Sequence, residues 1–349
     1  MNLPEFDYEL PEELIAQRPL ERREDSRMLV LYRDQQRWED RQFVEFPVFL
    51  RAGDCLVLNN SRVIPSRLFG HREGTRSMAI GKNNPKRSEY LSGQVEVFLL
   101  QPVSADRREW RALVRPGRKM RLGEVVVFGD DLKAEIVDRG DLGERTLRFH
   151  GDVDEQLERI GHVPLPPYIR RPDEAADRER YQTVFAKEKG SVAAPTAGLH
   201  FTPETLEQCR RAGAEIAFVT LHVGLGTFQP IHADEIVGHR LHAERYEISP
   251  ENQARIRGAA RRIAVGTTSV RTLESAERQG PGGETELFIY PGFDFRMTGG
   301  MLTNFHLPRT SLLLLACAFG GKEFVLAAYQ HAVAQKYRFY SYGDCMLIV

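Results

Sequence analysis

KGSVAAPTAGLHFTPETLEQCRRAGAEIAFVTLHVGLG, Lys189 to Gly226, holds in one run the unit from which most of this chain is built. Its first part, up to Thr202, carries almost no charge and strings small residues, Pro195 and two glycines into a segment ending on His200. That composition suits backbone lying against a ligand better than it suits a packed core. Thr202 before Pro203 supplies a capping hydroxyl and a proline at the first helical position, and Gly213 ends the helix. Ile216 to His222 then reads as an apolar strand running into Gly224 and Gly226. Loop, helix, strand and glycine loop in that order predict an α/β fold.

The rhythm recurs downstream. Ser249-Pro250 opens a helix in the same way, a strand from Arg262 to Val265 meets Gly266, and Thr267 to Ala276 reads as helical. A strand from Glu286 to Tyr290 and helices near Thr310 to Phe319 and Lys322 to Tyr337 follow. Upstream, Pro11 begins a short helix, and Met28 to Tyr32 and Cys55 to Leu58 are compact apolar strands. Repeated strand-loop-helix units predict a largely parallel sheet covered on both faces. Between Gly70 and His150 the texture changes to short alternating runs, such as Val95, Val97, Leu99 and Trp110, Ala112, Val114, separated by turn pairs such as Pro116-Gly117 and Gly129-Asp130. This pattern predicts a small antiparallel β-barrel of residues 70–154 inserted into a discontinuous three-layer α/β domain, residues 1–69 and 155–349. The polar stretch 72–92 is expected to be a long mobile loop.

Composition narrows the function. Forty-eight basic residues against 49 acidic ones mean that a nucleic-acid partner must be met by a local basic patch. Cys55, Cys209, Cys317 and Cys345 form no Cys-x-x-Cys pair, which argues against a disulfide framework or a zinc site and for a reducing cytoplasm. The first residues have neither a basic start nor an apolar run, and the longest apolar stretch, Leu312 to Phe319, is too short to span a bilayer. A cytoplasmic enzyme, monomeric and off the membrane, is the expectation.

Four stretches mix glycine with Thr, Ser, Asn or His beside β-rich runs: Lys189 to Thr202, His222 to Phe228, Val265 to Thr272 and Thr298 to Ser311. They are expected to line one cleft at the ends of neighbouring strands, with Thr196, Gly198, Gly224, Gly226, Thr303 and Asn304 as candidate substrate contacts. His200, His222 and His306 form a pool of acid–base candidates, although each alone is equally readable as a structural hydrogen-bonder. His222 is favoured as the base because a strand fixes its position directly before the glycines. No pair of these histidines has helical i,i+4 spacing, so no metal site is expected. Gly224-Leu225-Gly226 opens like a dinucleotide fingerprint, but Gln229 stands at the third glycine position. Gly266, Thr267, Thr268 and Ser269 lie between a strand and a helix, where free N–H groups hold an anion or simply cap the helix. Asn60, Ser61 and Arg62 form a ligand-facing edge or an ordinary turn. Arg115, Arg118, Lys119 and Arg121 form a basic turn, either solvated surface or a binding patch for nucleic-acid phosphates.

Longer motifs carry a resemblance. FDYELPEELIAQRP from Phe6, GDCLVLNNSRVIPSRL from Gly53, PPYIRR from Pro166, RYQTVFAKEKGSVAAPTAGLHFT from Arg180, VGTTSVRTLES from Val265 and YPGFDFRMTGGMLTNFHLPRTSLLLLACAF from Tyr290 together resemble the S-adenosylmethionine:tRNA ribosyltransferase-isomerase family of the queuosine pathway. The similarity runs through the chain and is weaker in the inserted barrel. It implies transfer and isomerisation of the ribosyl unit of S-adenosylmethionine onto 7-aminomethyl-7-deazaguanine at the tRNA wobble position, releasing adenine and methionine. S-adenosylmethionine would be consumed as substrate, with no further cofactor. On that reading Thr267, Thr268, Ser269 and Arg271 can hold the methionine carboxylate, and Asn60, Ser61 and Arg62 can orient ribose or tRNA backbone. An S-adenosylmethionine-dependent RNA methyltransferase and a non-catalytic RNA-binding module are the alternatives; the first lacks its glycine loop and acidic strand end in the N-terminal third.

Overall fold

A computed structural model of the chain describes residues 1–73, 93–117, 120–140, 143–224, 236 and 241–349. It forms two compact units, Met1–Val63 with Pro166–Val349, and Ile64–Leu165. The inserted unit starts at Ile64 and ends at Leu165, wider than the expected 70–154. Packing and pairing explain the difference. Ile64, Leu68, Val153 and Leu157 all belong to the barrel core, and Arg67 and His162 exchange backbone hydrogen bonds of 3.3 and 2.8 Å.

In the α/β unit the described residues build a nine-stranded sheet in the order β15 (Gly282–Thr285), β13 (Glu244–Glu247), β12 (Glu215–Leu221), β3 (Asp54–Asn59), β14 (Arg261–Val265), β16 (Gly300–Asn304), β17 (Cys345–Ile348), β1 (Arg27–Tyr32) and β2 (Arg37–Gln42). A separate parallel pair joins β4 (Ser61–Val63) to β11 (Glu188–Ser191). Strands β3, β16 and β17 are buried at every position, as strands covered on both faces must be. The alternation along them sorts side chains into two cores. Cys55, Val57, Ala264 and Met301 face one layer, which holds α4 (Pro250–Gly258), α5 (Thr267–Gln279), α6 (Ser311–Gly320) and α7 (Lys322–Ala334). Leu56, Leu58, Ile263, Val265 and Leu302 face the other, with Leu206 and Cys209 of α3 (Pro203–Arg211) and the aromatic residues Phe43, Phe46 and Phe201.

Helix starts follow their caps. Thr202, Ser249 and Thr310 accept the N–H of Thr205, Asn252 and Leu313 at 3.1, 3.4 and 3.4 Å. The single turn α2 (Asp177–Arg180) is held instead by an ion pair, Asp177 to Arg171 at 2.6 Å. Gly213 has φ +90°, and a Cβ there would lie 3.0 Å from Ala52 Cα, so the turn out of α3 requires glycine.

Two expectations are corrected. The sheet is parallel only across β12, β3, β14 and β16 and mixed outside them, because β13, β15, β17 and β2 each enter antiparallel to a neighbour. The strand expected at 286–290 lies upstream, at Gly282–Thr285, where the chain finds β13 as partner. Residues beyond it turn irregular as Arg271 Nε donates to the Leu287 carbonyl at 3.1 Å.

The inserted unit is a closed antiparallel barrel in the order β10 (Glu144–His150), β7 (Glu109–Arg115), β6 (Gln94–Pro102), β5 (Arg67–Arg72), β8 (Val125–Phe128) and β9 (Leu132–Arg139). Its inward positions alternate along each strand, and Val153 and Leu157 of α1 (Val153–Ile160) pack against the same core. Arg72, placed at the start of the expected loop, ends β5 and pairs with Glu124 at 2.7 Å; residues 74–92 lie outside those described.

Glu274 of α5 ties its layer together. Fully buried, it accepts Arg278 Nη1 at 2.8 Å, the N–H groups of Arg296, Met297 and Thr298 at 3.0 to 3.1 Å, and the Thr298 hydroxyl at 2.9 Å. Glu274→Ala is expected to cost the α/β unit about 3–5 kcal/mol, because it strands these donors. Denaturant unfolding followed by circular dichroism measures it.

Candidate functional site

Four parallel neighbours must end on the same edge of a sheet; there the chain leaves β12 at His222, β3 at Asn60, β14 at Gly266 and β16 at Phe305, all within stretches singled out in the sequence. Side chains stitch them together. Asn59, at the head of the Asn-Asn-Ser-Arg run, is a buried strut: it donates Nδ2 to the Leu221 carbonyl at 3.0 Å and accepts the N–H groups of Leu221 and Ser61 at 3.1 and 3.0 Å. Gly266 donates its N–H to the Leu302 carbonyl at 2.7 Å. A Cβ on Gly266 would touch Ala197 Cβ at 3.7 Å, which brings the 196–200 turn against the start of α5.

His200 and His306 are buried parts of this frame. Nδ1 of His200 hydrogen-bonds Ser26 Oγ at 2.9 Å, Nε2 meets Asn304 Nδ2 at 3.2 Å, and Phe43 lies across the ring at 5.3 Å. Nε2 of His306 meets Thr303 Oγ1 at 2.8 Å, its backbone N–H donates to the Tyr329 hydroxyl at 3.1 Å, and its carbonyl accepts the Tyr8 hydroxyl. Burial lowers both rings to about 3, with Arg23 and Arg338 adding to the effect on His200. Both are neutral at pH 7; both ring nitrogens of His200 and the Nε2 of His306 are engaged with protein. Asn304 and Thr303 serve as their partners.

His222 differs. It is half-buried, follows β12 directly, and lines a cleft of about 360 Å³ with Asn60, Glu188, Thr220, Arg245 and Glu247. Its Nδ1 is buried with no partner. Burial and then Arg245 lower its pKa, against the opposing pull of Glu188 and Glu247. The ring is wedged beside Gly190: a Cβ there would stand 3.0 Å from Nδ1, at a backbone φ of +139°. Asn60 shares the cleft and accepts the Thr220 hydroxyl at 2.7 Å. Ser61 is fully buried, whereas Arg62 is exposed.

At the start of α5, Ser269 Oγ bonds the Val265 carbonyl at 2.8 Å and Thr272 Oγ1 bonds the Thr268 carbonyl at 2.9 Å. Gly266 sits at the cap with φ +87° and offers no side-chain cap. Arg271 does not point to a ligand. It is buried against Glu244, whose other oxygen accepts the Gly224 N–H at 2.8 Å. Sequence reasoning missed Glu244 because HAERYEI carries no glycine or histidine loop signal at that residue. Gly198 is hemmed in, since a Cβ would lie 2.8 Å from Phe185 Cζ and Thr183 Cγ2; Thr196 beside it is half-buried. Gly226, Arg118 and Lys119 lie outside the described residues, while Arg115 and Arg121 are exposed on the barrel unit.

Among the described residues ten buried polar side-chain atoms lack a partner. Ser61 Oγ, His222 Nδ1, Thr268 Oγ1 and Asn304 Oδ1 belong to the strand-end segments and Thr183 Oγ1 lies beside Gly198; the other five are elsewhere in the chain. Each such atom costs about 1–3 kcal/mol, so the ones at this sheet edge are held in place by the surrounding frame. Among the described residues no group of three or more His, Cys, Asp or Glu is placed to hold a metal.

The low-lying rings predict a pH dependence. A histidine at about 3 folded, against an ordinary value of 6.5, adds stability that is whole above pH 6.5 and drains as pH falls towards 3. Each contributes about 1.4 kcal/mol per pH unit in that window. His200→Asn should flatten the slope of unfolding free energy between pH 6 and 4.5 by about that amount, read from urea titrations.

The sequence model of the family described as "Queuosine biosynthesis protein" matches residues 3–348 of this chain. The S-adenosylmethionine:tRNA ribosyltransferase-isomerase of Solibacter usitatus is 67% identical over 352 residues, spanning 100% of both chains. The protein of that name from Desulforamulus reducens is 46% identical over 362 residues, again across 100% of each. The crystal structure of S-adenosylmethionine tRNA ribosyltransferase from Thermotoga maritima matches with a TM-score of 0.53 at 38% identity, covering 99% of this chain and 100% of that one. The chain therefore belongs to the queuosine biosynthesis protein family.

Proposed function

We propose that this protein transfers and isomerises the ribosyl unit of S-adenosylmethionine onto 7-aminomethyl-7-deazaguanine at the wobble position of tRNA, giving epoxyqueuosine-tRNA, adenine and methionine. The observation that carries this reading is identity of 67% along the whole chain to a relative named S-adenosylmethionine:tRNA ribosyltransferase-isomerase. The partnerless polar atoms on the sheet edge support it, since a polar sulfonium nucleoside has matching groups for a hydroxyl-rich, amide-rich site. S-adenosylmethionine is consumed as substrate, with no other cofactor. Four free, buried cysteines fit a reducing cytoplasm, and no single described helix is long and apolar enough to cross a membrane.

The roles follow from what each residue has left to offer. Proton removal beside the sulfonium needs a neutral base open to the ligand. His222 lines a cleft whereas His200 and His306 are buried, and its lowered pKa keeps it neutral at pH 7. His200 and His306 hold the surrounding segments in register. The free N–H groups at Thr267 and Thr268, with the Thr268 hydroxyl, suit the methionine carboxylate. Arg271 acts at one remove by fixing Glu244 and, through it, Gly224.

Incubation with S-adenosylmethionine and precursor-bearing tRNA should release adenine; release of S-adenosylhomocysteine instead would make the protein a methyltransferase. His222→Asn should lose turnover by about 10²–10⁴ while keeping the fold. Because activity needs the unprotonated ring, the acidic limb of kcat/KM should lie below pH 6.5 and vanish in that variant. Gly266→Val should weaken S-adenosylmethionine binding, since φ +87° strains any side chain there.

A further inference from the structure

One rim of the barrel gathers arginines that meet no carboxylate partner among the described residues. Strand β10 lies between β7 and β9 and antiparallel to both, so its start meets their two ends. The register sets Arg145 of β10 directly opposite Arg139 of β9, and like charges facing each other across two strands destabilise the pair. Arg115 ends β7 at the same rim. Together with Gly117, Gly140 and Leu113 these arginines line a cavity of about 440 Å³.

Arg145 is the anchor. Only 4% of it is exposed, and it donates Nε to the Met120 carbonyl at 3.2 Å, Nη1 to the Glu144 carbonyl at 2.6 Å and Nη2 to the Gly117 carbonyl at 2.8 Å. Those bonds occupy three of a guanidinium's five N–H groups and leave one on each terminal nitrogen. They bring no negative charge. Burial and the neighbouring Arg139 push the pKa of Arg145 down, the response of a cation that lacks a counter-ion. Among the described residues neither Arg115, Arg139 nor Arg145 has a carboxylate within ion-pair distance. Among the described residues, the acids nearest in register bond elsewhere than to these three guanidinium groups. Glu144 pairs with Arg111 at 2.6 Å, Glu96, opposite Arg115, pairs with Arg67 at 2.6 Å, and Asp138 accepts the N–H of Arg139 at 2.8 Å.

A buried guanidinium with two N–H groups to spare and exposed guanidinium groups at the same mouth are a receptor for a tetrahedral oxyanion. We propose that this cavity seats one backbone phosphate of the RNA substrate, with Arg145 as the fixed donor and Arg139 and Arg115 closing over the phosphodiester. The site rests on the tRNA-modifying reading above. It adds to the basic turn a defined pocket reaching into the barrel, and two residues, Arg139 and Arg145, that the turn did not include.

The test uses the full chain and three variants. Arg139→Ala removes an exposed side chain and should leave the melting temperature and S-adenosylmethionine affinity unchanged; Arg139→Lys keeps the charge; Arg145→Ala is included with its melting temperature monitored, because it also releases three carbonyls. Dissociation constants for tRNA are measured from 50 to 200 mM salt. With one bound phosphate fewer, Arg139→Ala should show a slope of log K against log salt smaller by about 0.7–0.9, and Arg139→Lys should restore most of it. In parallel, inorganic phosphate is compared with chloride at equal ionic strength for its effect on melting temperature. A phosphate-induced rise that disappears in Arg139→Ala, while tRNA affinity and salt slope stay at wild-type values, makes this a small-anion site and overturns the RNA assignment. Unchanged behaviour of Arg139→Ala in both measurements overturns the site altogether. Adenine release by the unmutated enzyme in the same samples reports separately on the tRNA-modifying reading.

Discussion

The strand-end edge of the α/β unit depends on one buried ion pair, Glu244 with Arg271, each about 4–5% exposed. Charges so deeply placed are tolerated only when every remaining donor and acceptor is used. Here backbone groups supply the further partners. Glu244 takes the Gly224 N–H at 2.8 Å, and Arg271 reaches the Leu287 and Thr285 carbonyls at 3.1 and 3.5 Å. The pair thereby joins the segment leaving β12, the first turn of α5 and the chain beyond β15. Removing either charge would leave the other without a partner and free the loop that carries Gly224, so binding and folding share the same bond.

That bond also explains where the sequence could and could not be read. Capped helices were legible because their signals are local: Thr202-Pro203, Ser249-Pro250 and Thr310 each act within one turn. The barrel was legible from alternation, which β6 and β7 keep almost without break. Pairing partners were not. The apolar run 286–290 has strand composition, but its Leu287 carbonyl is claimed by Arg271, and β13 pairs with the glycine-rich Gly282–Thr285 instead. Gly300–Asn304 reads as a ligand loop from its Gly, Thr and Asn, yet it is a wholly buried strand whose polar residues serve His200 and His306.

The site shows the same division. Which segments converge followed from strand-loop-helix order alone. What each side chain does there depended on burial, which spacing does not encode. Three histidines of identical sequence character separate into two neutral pillars and one ring with a spare nitrogen on a cleft. Arg271 has the sequence signature of an anion ligand and is a strut; Thr268, an ordinary helix-start residue, holds a hydroxyl with no partner.

These partnerless atoms set a limit on how the protein behaves without substrate. Five of them at about 1–3 kcal/mol each amount to a sizeable part of the roughly 5–15 kcal/mol by which a domain is stable. A fold that keeps such groups in place gives up stability for orientation, and a ligand that satisfies them recovers part of it. Binding at a hundredfold excess over Kd adds about 2.7 kcal/mol. The network of His200, Ser26, Asn304, Thr303, His306 and Tyr329 makes this possible. It occupies both nitrogens of His200 and the Nε2 of His306, so the cost falls on the partnerless groups and not on the frame that holds them.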